Sequence, residues 1–113
     1  ESRGVSPDGK TMYVQGIRNN FTAADISKGS YTPLWDTLMP YESNFIPTRM
    51  ETTEEYVFIP TEFGVVHAVR TDGSGIAWSH KVSHSAVTSL KNVGDHRLIV
   101  MTMDGTVTCL TYP

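Results

Sequence analysis

The stretch GVVHAVRTDGSGIAW, residues 64–78, determines how the rest of this sequence is interpreted. Its first half is rich in β-branched residues and alternates in the manner of a β-strand. Its middle, TDGSG, favours a turn, because glycine adopts positive φ angles at little cost and Asp is common in turns. A second short β-rich run follows and contains Trp78. The stretch therefore predicts two antiparallel strands joined by a tight turn.

The same arrangement occurs again in the 113 residues, earlier as NFTAADISKGSYTPLW and later, in part, as GTVTCLTYP. Three kinds of anchor recur. Two tryptophans, Trp35 and Trp78, are 43 residues apart, and a small residue recurs at steps of 45 and 41, as Ala23, Ala68 and Cys109. An apolar residue recurs at steps of 44 and 42, as Tyr13, Val57 and Ile99. A period in the low forties built from four short strands is typical of a β-propeller blade. Helical repeats of similar length would show apolar residues three and four apart, and no such spacing is sustained here.

The sequence predicts an all-β fold: a partial β-propeller of about three four-stranded antiparallel blades, in which the first and last blades are incomplete. The strands are expected at 10–16, 20–25 and 32–38; at 44–52, 56–60, 64–70 and 75–81; and at 86–93, 97–103 and 106–112. Val, Thr, Tyr, Phe and Ile dominate these segments, as pleated and half-buried surfaces favour. The blade-like units form one incomplete domain and span about 1–42, 43–85 and 86–113.

The segment AVRTDGSGIAWSHKV resembles the repeat of quinoprotein-dehydrogenase-like propellers, also called pyrroloquinoline-quinone-type propellers. That repeat runs Ala, any residue, Asp, any two, Thr, Gly, any three, Trp. The residues that occupy its positions here are Ala23, Asp25, Gly29 and Trp35 in the first unit, Ala68, Gly75 and Trp78 in the second, and Gly105 and Cys109 in the third. The departures are that Trp35 comes two residues late, Arg70 replaces the Asp, the glycine of the second unit has slid to Gly75, and Cys109 takes the Ala position.

The chemistry of these residues implies structural roles for them. A small residue at Ala23 or Ala68 leaves room for a neighbouring ring, and Trp35 and Trp78 are expected to fill the gap between adjacent blades. The glycines permit the turn between the third and fourth strands. Both tryptophans are therefore expected at equivalent places in successive sheets, mostly buried.

Composition excludes several classes of function. The net charge is −3 and there is no Lys/Arg cluster, so no nucleic-acid partner is predicted. No run of about 18 apolar residues occurs, so no transmembrane segment is predicted. Residues 1–10 lack the basic and apolar regions of a signal peptide, and the sequence starts in mid-pattern, so a targeting segment upstream stays open. A single cysteine, Cys109, excludes an internal disulfide framework.

No cofactor, metal site or catalytic residue is predicted. The four histidines, His67, His80, His84 and His96, lack the spacing of a known zinc site, and SHKVSHS has no Gly-x-Ser-x-Gly elbow. Cys109 alternates with Val107 on a strand and is expected to be a buried, inert thiol. The acidic residues are assigned to a solvated hairpin tip or to turns: Glu51, Glu54 and Glu55; Asp72, Asp95 and Asp104.

The predicted function is that of a non-catalytic scaffold or binding module, formed by the C-terminal part of a larger propeller, with a protein or a glycan as its partner. The rest of the propeller or a second copy is expected to cover the open strand edges, above all beside 106–112. The resemblance implies a bacterial envelope or secreted protein, periplasmic or at the cell surface. The alternative is that the segment belongs to an enzyme, as part of a quinoprotein dehydrogenase or as a propeller appended to a hydrolase domain.

Overall fold

A computed structural model of the chain describes residues 2–15, 20–39 and 49–113. Within these residues it has eleven β-strands and no helix, which confirms the all-β prediction. In chain order the strands are β1 (Ser2–Val5), β2 (Thr11–Gln15), β3 (Asn20–Asp25), β4 (Thr32–Leu38), β5 (Glu51–Thr52), β6 (Tyr56–Pro60), β7 (Val65–Arg70), β8 (Ile76–Lys81), β9 (Val87–Gly94), β10 (Arg97–Thr102) and β11 (Val107–Thr111). No helix in this part of the chain is long and apolar enough to cross a membrane.

The strands form three antiparallel sheets in which neighbours along the chain are neighbours in the sheet. The first sheet has the order β1-β2-β3-β4, the second β5-β6-β7-β8, and the third β11-β10-β9. Small up-and-down sheets of this kind, packed face to face in sequence, are the blades of a propeller. The predicted partial propeller is thereby confirmed, and the third sheet has three strands within the described residues, as expected.

The first sheet contains a strand that the sequence does not predict. β1 pairs with β2 along its length, with Gly4 opposite Tyr13, so this sheet has four strands and the expectation of an incomplete first blade is wrong. The sequence of β1, SRGV, is short and includes a glycine, which weakens any strand pattern. The glycine has a packing reason, because a Cβ at Gly4 would lie 3.1 Å from the Cβ of Met50.

Residues 44–48 of the strand predicted over 44–52 lie outside the described residues. In the described part of that range, β5 forms and pairs with β6. β5 links the first strands of all three sheets. The Oγ1 of Thr52 donates to the carbonyl oxygen of Val5 in the first sheet (2.6 Å), and the Oε2 of Glu51 accepts the N–H of Asn92 in the third (2.6 Å). The first strands are therefore hydrogen-bonded to one another from sheet to sheet.

Two hydrophobic layers hold the sheets together. The layer between the first and second sheets contains Tyr13, Phe21, Ala23, Met39, Met50, Val57, Ile59 and Val69. The layer between the second and third sheets contains Phe58, Val66, Ala68, Val87, Leu98, Val100 and Tyr112. β6 serves both layers because its side chains alternate, with Val57 facing the first and Phe58 the second. Phe58, and not Val57, is therefore the counterpart of Tyr13, since each ring lies opposite the alanine of the next strand.

Aspartates close four of the turns, where each carboxylate accepts the backbone N–H two residues ahead. The pairs are Asp8 with Lys10 (2.9 Å), Asp25 with Ser27 (2.8 Å), Asp72 with Ser74 (2.9 Å) and Asp104 with Thr106 (3.0 Å). The pKa of all four carboxyls is lowered, most strongly by a hydrogen bond from a serine side chain. Other hydrogen bonds, including those from these backbone N–H groups, lower it further. Turn formation thus accounts for the positions of these four acidic residues.

Candidate functional site

The predicted anchor residues come together in pairs across the third and fourth strands of two sheets. Ala23 lies opposite Trp35 between β3 and β4, and Ala68 lies opposite Trp78 between β7 and β8. A bulge follows the alanine in each sheet. Trp35 comes later than the repeat requires because the turn before it is two residues longer. Both tryptophans are partly buried against a hydrophobic layer, and they occupy equivalent places.

Trp35 joins the first sheet to the second. Its Nε1–H donates to the carbonyl oxygen of Thr71 in the β7–β8 turn (3.1 Å). Its ring lies on Gly73 of the same turn, where a Cβ would come within 2.9 Å of the Trp35 Cγ. Within its own sheet the ring packs on Tyr13 and Phe21, with centroid separations of 6.3 and 5.8 Å. The indole therefore fills the space between two blades and makes a specific hydrogen bond there.

Positive φ angles identify the glycines that shape these turns. Gly29 and Gly73, with φ of 75° and 86°, each donate the N–H to the carbonyl three residues back. The sequence places the turn glycine of the second unit at Gly75, whose φ is 109° and whose carbonyl accepts the N–H of Arg70. Gly73 is nevertheless the residue that lies beneath the ring of Trp35 from the first sheet. This contact distinguishes Gly73 from Gly75, where an added Cβ would meet nothing within 4 Å.

Asp25 ends β3 and caps the turn that follows, where its carboxylate accepts the N–H of Ser27 (2.8 Å). Arg70 takes that place in the second sheet, and the capping role moves two residues on, to Asp72. The departure from the repeat at Arg70 changes which residue caps the turn and leaves the turn itself in place.

The third sheet repeats the backbone of the second but leaves its counterpart residues uncovered. Gly105 has a positive φ of 88°, as Gly64 has at 75°, and each precedes the small residue of the next strand by four positions. Ala68 is fully buried, whereas Cys109, opposite Ile99, is exposed. The expectation of a buried thiol is therefore wrong, because within the described residues neither a fourth strand nor a further sheet covers β11.

The outward face of the third sheet carries apolar residues on β10 and β11 beside polar ones, with Lys91 opposite Ile99 and Arg97 opposite Thr111. Leu98 and Val100 of β10 are buried against the second sheet, and the alternate residues point away from it. Met101 is 44% exposed, and Val107, its cross-strand partner, is 61% exposed. We call the apolar part of this surface the open side; it consists of Ile99, Met101, Val107 and Cys109, together with the outer edge of β11, which is unpaired within the described residues.

Trp78 lies at the margin of the open side and does not make the hydrogen bond that Trp35 makes. Its ring packs on Phe58 and Tyr112, with centroid separations of 5.7 and 6.3 Å. Its Nε1 is buried and has no hydrogen-bond partner in the described part of the chain. An unpaired buried donor costs about 1–3 kcal/mol, so this N–H favours any element that brings a carbonyl to it.

The backbone around Tyr112 explains the difference between the two tryptophans. The N–H of Tyr112 donates to the carbonyl of His96 (2.8 Å), as the N–H of Thr71 donates to that of Glu55 (3.1 Å). Tyr112 therefore lies at the position of Thr71, the acceptor of the Trp35 hydrogen bond. No turn of the kind that contains Gly73 follows Tyr112 within the described residues.

A serine–histidine pair is the arrangement closest to catalytic chemistry. The Nδ1 of His67 lies 2.6 Å from the Oγ of Ser79. Burial lowers the pKa of His67 to about 4, so its ring is neutral at neutral pH and a weak base for activating a hydroxyl. In the ranges that the structure describes, no three His, Cys, Asp or Glu side chains are grouped so as to hold a metal ion.

No protein-family model and no curated protein matches this sequence. Solved structures do share its fold. The computationally designed protein Ika4 superposes with a TM-score of 0.72 at 15% identity, over 92% of this chain and 61% of that one. BamB from Moraxella catarrhalis gives 0.64 at 19% identity, over 96% of this chain and 31% of that one. The β-propeller domain of Cps50 (Swd1) from Myceliophteria thermophila gives 0.54 at 12%, over 99% and 52%.

Identities this low show the fold alone. The chain spans between 31% and 61% of the length of these three structures, so it corresponds to part of each. The narrower likeness to quinoprotein-type propellers rests on the repeat residues and is not added to by these similarities. The fold is that of part of a β-propeller.

Proposed function

We propose that this chain is a non-catalytic propeller scaffold that binds a polypeptide partner through the open side of its third sheet. The observation that carries the proposal is the outer edge of β11, which pairs with no other strand of the described residues and carries the exposed, apolar Val107. An unpaired edge presents a row of N–H and C=O groups that pairs readily with another chain. The units 1–42, 43–85 and 86–113 are part of the same proposal, as one incomplete domain.

A protein partner fits this site better than a glycan. Strands pair at a spacing of about 4.8 Å through alternating N–H and C=O groups, and only another polypeptide backbone presents the complementary row. The partner is either the remainder of a propeller or a second copy of this chain, because each supplies strands with the repeat spacing seen here. A bacterial envelope or secreted setting is proposed from the resemblance alone.

The second candidate function is enzymatic, with the chain as the propeller part of a quinoprotein dehydrogenase or of a hydrolase. Among the described residues, the contact between His67 and Ser79 favours it. Replacing Ser79 with Ala tests this role against an ester substrate: an equal rate of hydrolysis in the variant and the parent assigns the pair to structure.

Sedimentation of the 113-residue chain tests the scaffold proposal. With no other partner in solution, we expect concentration-dependent self-association through the open side. Replacing both Met101 and Val107 with Lys is expected to give a monomer, because charged side chains on a strand face oppose close packing. Phe63→Lys is the control, since Phe63 is 58% exposed and lies in the β6–β7 turn of the second sheet.

Two results would contradict the proposal. One is a stable monomer of the parent chain at high micromolar concentration, with slow hydrogen exchange along β11. The other is self-association that the double lysine variant and the Phe63→Lys control change equally.

A further inference from the structure

We infer that the open side receives an extended strand that pairs antiparallel to β11 and carries an aromatic side chain opposite Cys109. This inference rests on the proposed function and names the chemistry of the partner. It comes from three features: the composition of the sheet edges, the register of the complete sheets, and the unpaired donor of Trp78.

β11 differs from every other edge strand that the structure describes. Natural edge strands are protected from pairing by charged side chains or proline. The other edges each carry one or both: Arg3 in β1, Pro33 and Asp36 in β4, Glu51 in β5, Lys81 in β8 and Lys91 in β9. The sequence of β11, VTCLT, carries neither. Its composition is that of a strand with a neighbour on both sides.

The backbone direction of β11 shows which groups the partner would meet. The N–H of Tyr112 points toward the β9–β10 side, where it donates to His96 (2.8 Å). Because successive N–H groups of a strand point to opposite sides, the N–H of Thr111 points to the free edge. Its counterpart in the second sheet, Arg70, donates to the carbonyl of Gly75 just before β8 (2.9 Å).

The two complete sheets give the register of the missing partner. Three series of counterpart positions are buried in the first two sheets, while in the third Ile99 is half-buried and Val107 and Cys109 are exposed: Tyr13, Phe58 and Ile99; Phe21, Val66 and Val107; Ala23, Ala68 and Cys109. In the first sheet the ring opposite the alanine lies over Tyr13 and Phe21. A ring opposite Cys109 would cover Ile99 and Val107 in the same way.

Trp78 supplies an observation independent of the edge. Its Nε1 is buried and unpaired among the described residues, while the Nε1 of Trp35 is satisfied by the turn that joins β7 to β8. A strand beside β11 would enter through a turn at this same place, next to Tyr112. The site thus continues the interface already formed between the second and third sheets, where Trp78 packs on Tyr112.

A peptide with the sequence of residues 73–82, GSGIAWSHKV, is the probe, because it contains the turn glycine and β8 in the required register. We expect the fluorescein-labelled peptide to bind the 113-residue chain in an anisotropy titration. The peptide with Trp78→Ala is expected to bind about tenfold more weakly, as truncation of a central aromatic anchor does. In the chain, Thr111→Pro should abolish binding by removing an edge N–H, while the Phe63→Lys control in the second sheet should leave binding unchanged.

Disulfide trapping fixes the register, because Cys109 is the only cysteine of the chain and is exposed. A peptide with Trp78→Cys places its thiol opposite Cys109, within the Cα separation that a disulfide requires. A peptide with Ser79→Cys places it opposite Thr108 and should cross-link far more slowly. Binding of the parent peptide should also shift the indole N–H resonance of Trp78, assigned with Trp78→Phe, and leave that of Trp35 in place.

The outcomes separate this inference from the proposed function. Equal binding by the parent and Trp78→Ala peptides, or faster trapping by the Ser79→Cys peptide, overturns the aromatic register while the open side remains a binding surface. If Thr111→Pro leaves the affinity for the peptide unchanged, the inferred pairing of a strand with β11 is wrong. If the Met101/Val107 lysine pair also leaves self-association unchanged, the proposed function fails as well.

Discussion

The interface between the first and second sheets and the interface between the second and third are built from the same positions but differ in completeness. In the first, Trp35 packs on Gly73 and its N–H is hydrogen-bonded to Thr71. In the second, Trp78 has equivalent packing on its own sheet and a buried N–H without a partner in the described residues. The difference shows that the tryptophan ring is positioned by its own blade, whereas its indole N–H is hydrogen-bonded by a turn of the following blade.

Phe58→Ala gives the largest expected effect on this comparison. Phe58 is fully buried between the second and third sheets and packs on Trp78 and Tyr112. Its truncation should lower the free energy of unfolding by about 3–5 kcal/mol, from lost burial and the cavity left behind. Urea denaturation measures it. Ile99→Ala, at the counterpart position of the third sheet, should cost less than half as much, and equal costs would show that the open side is covered.

Gly64→Ala and Gly105→Ala compare the same turn in a packed and an open setting. Both glycines have positive φ, which costs an alanine about 1–2 kcal/mol. A Cβ at Gly64 would also overlap the carbonyl oxygen of Ser83, whereas one at Gly105 meets nothing within 4 Å. We expect Gly64→Ala to lower the melting temperature by at least about twice as much. Equal shifts would mean that the Ser83 segment moves freely.

Trp35→Phe and Trp78→Phe isolate one hydrogen bond. Both changes remove part of a ring, but the first also leaves the Thr71 carbonyl without its partner. The second removes a buried donor that has none among the described residues. Trp35→Phe should therefore cost about 1 kcal/mol more than Trp78→Phe in chemical denaturation. A larger cost for Trp78→Phe would show that its indole N–H is satisfied in solution.

A pH dependence is also expected, from the second sheet. Burial lowers the pKa of His67 to about 4, against an ordinary value of 6.5. Between these values the unfolded chain binds a proton that the folded chain does not, so stability is lost as the pH falls from 6.5 to 4. His67→Gln should flatten this part of the profile of denaturation midpoint against pH. An unchanged profile would assign the acid sensitivity to other groups. The third sheet has no equivalent effect, because the counterpart of His67 there is Thr108, which does not titrate.

Much of the fold follows from the sequence because the repeat is local. The Ala–Trp pairing was predictable from spacing alone, and the turns from Asp and Gly. The additional residues before Trp35 are absorbed by the turn, so an imperfect motif still gives the same cross-strand pair. β1 was not predictable, since its four residues have no apolar alternation and are held by pairing with β2.

The candidate site depends on contacts that no local pattern contains. Gly73 and Gly75 are alike in sequence, and only the ring of Trp35 distinguishes them. Cys109 has the alternation of a buried strand residue, but burial requires a neighbour that the pattern cannot supply. The repeat spacing predicts Val57 as the counterpart of Tyr13, whereas the structure places Phe58 opposite Ala68. Both sides of β6 are buried, which removes the contrast between its two faces that would reveal the correct residue.

The unbroken order of strands within each sheet has a consequence for cooperativity. Each strand pairs with the one before it in the chain, so loops that close during folding are short and contact order within a sheet is low. Coupling between sheets then acts between nearest neighbours, as in solenoid proteins. The middle sheet gains from two neighbours and each outer sheet from one. Sub-global opening of this chain should thus begin at its outer sheets and reach the second sheet last.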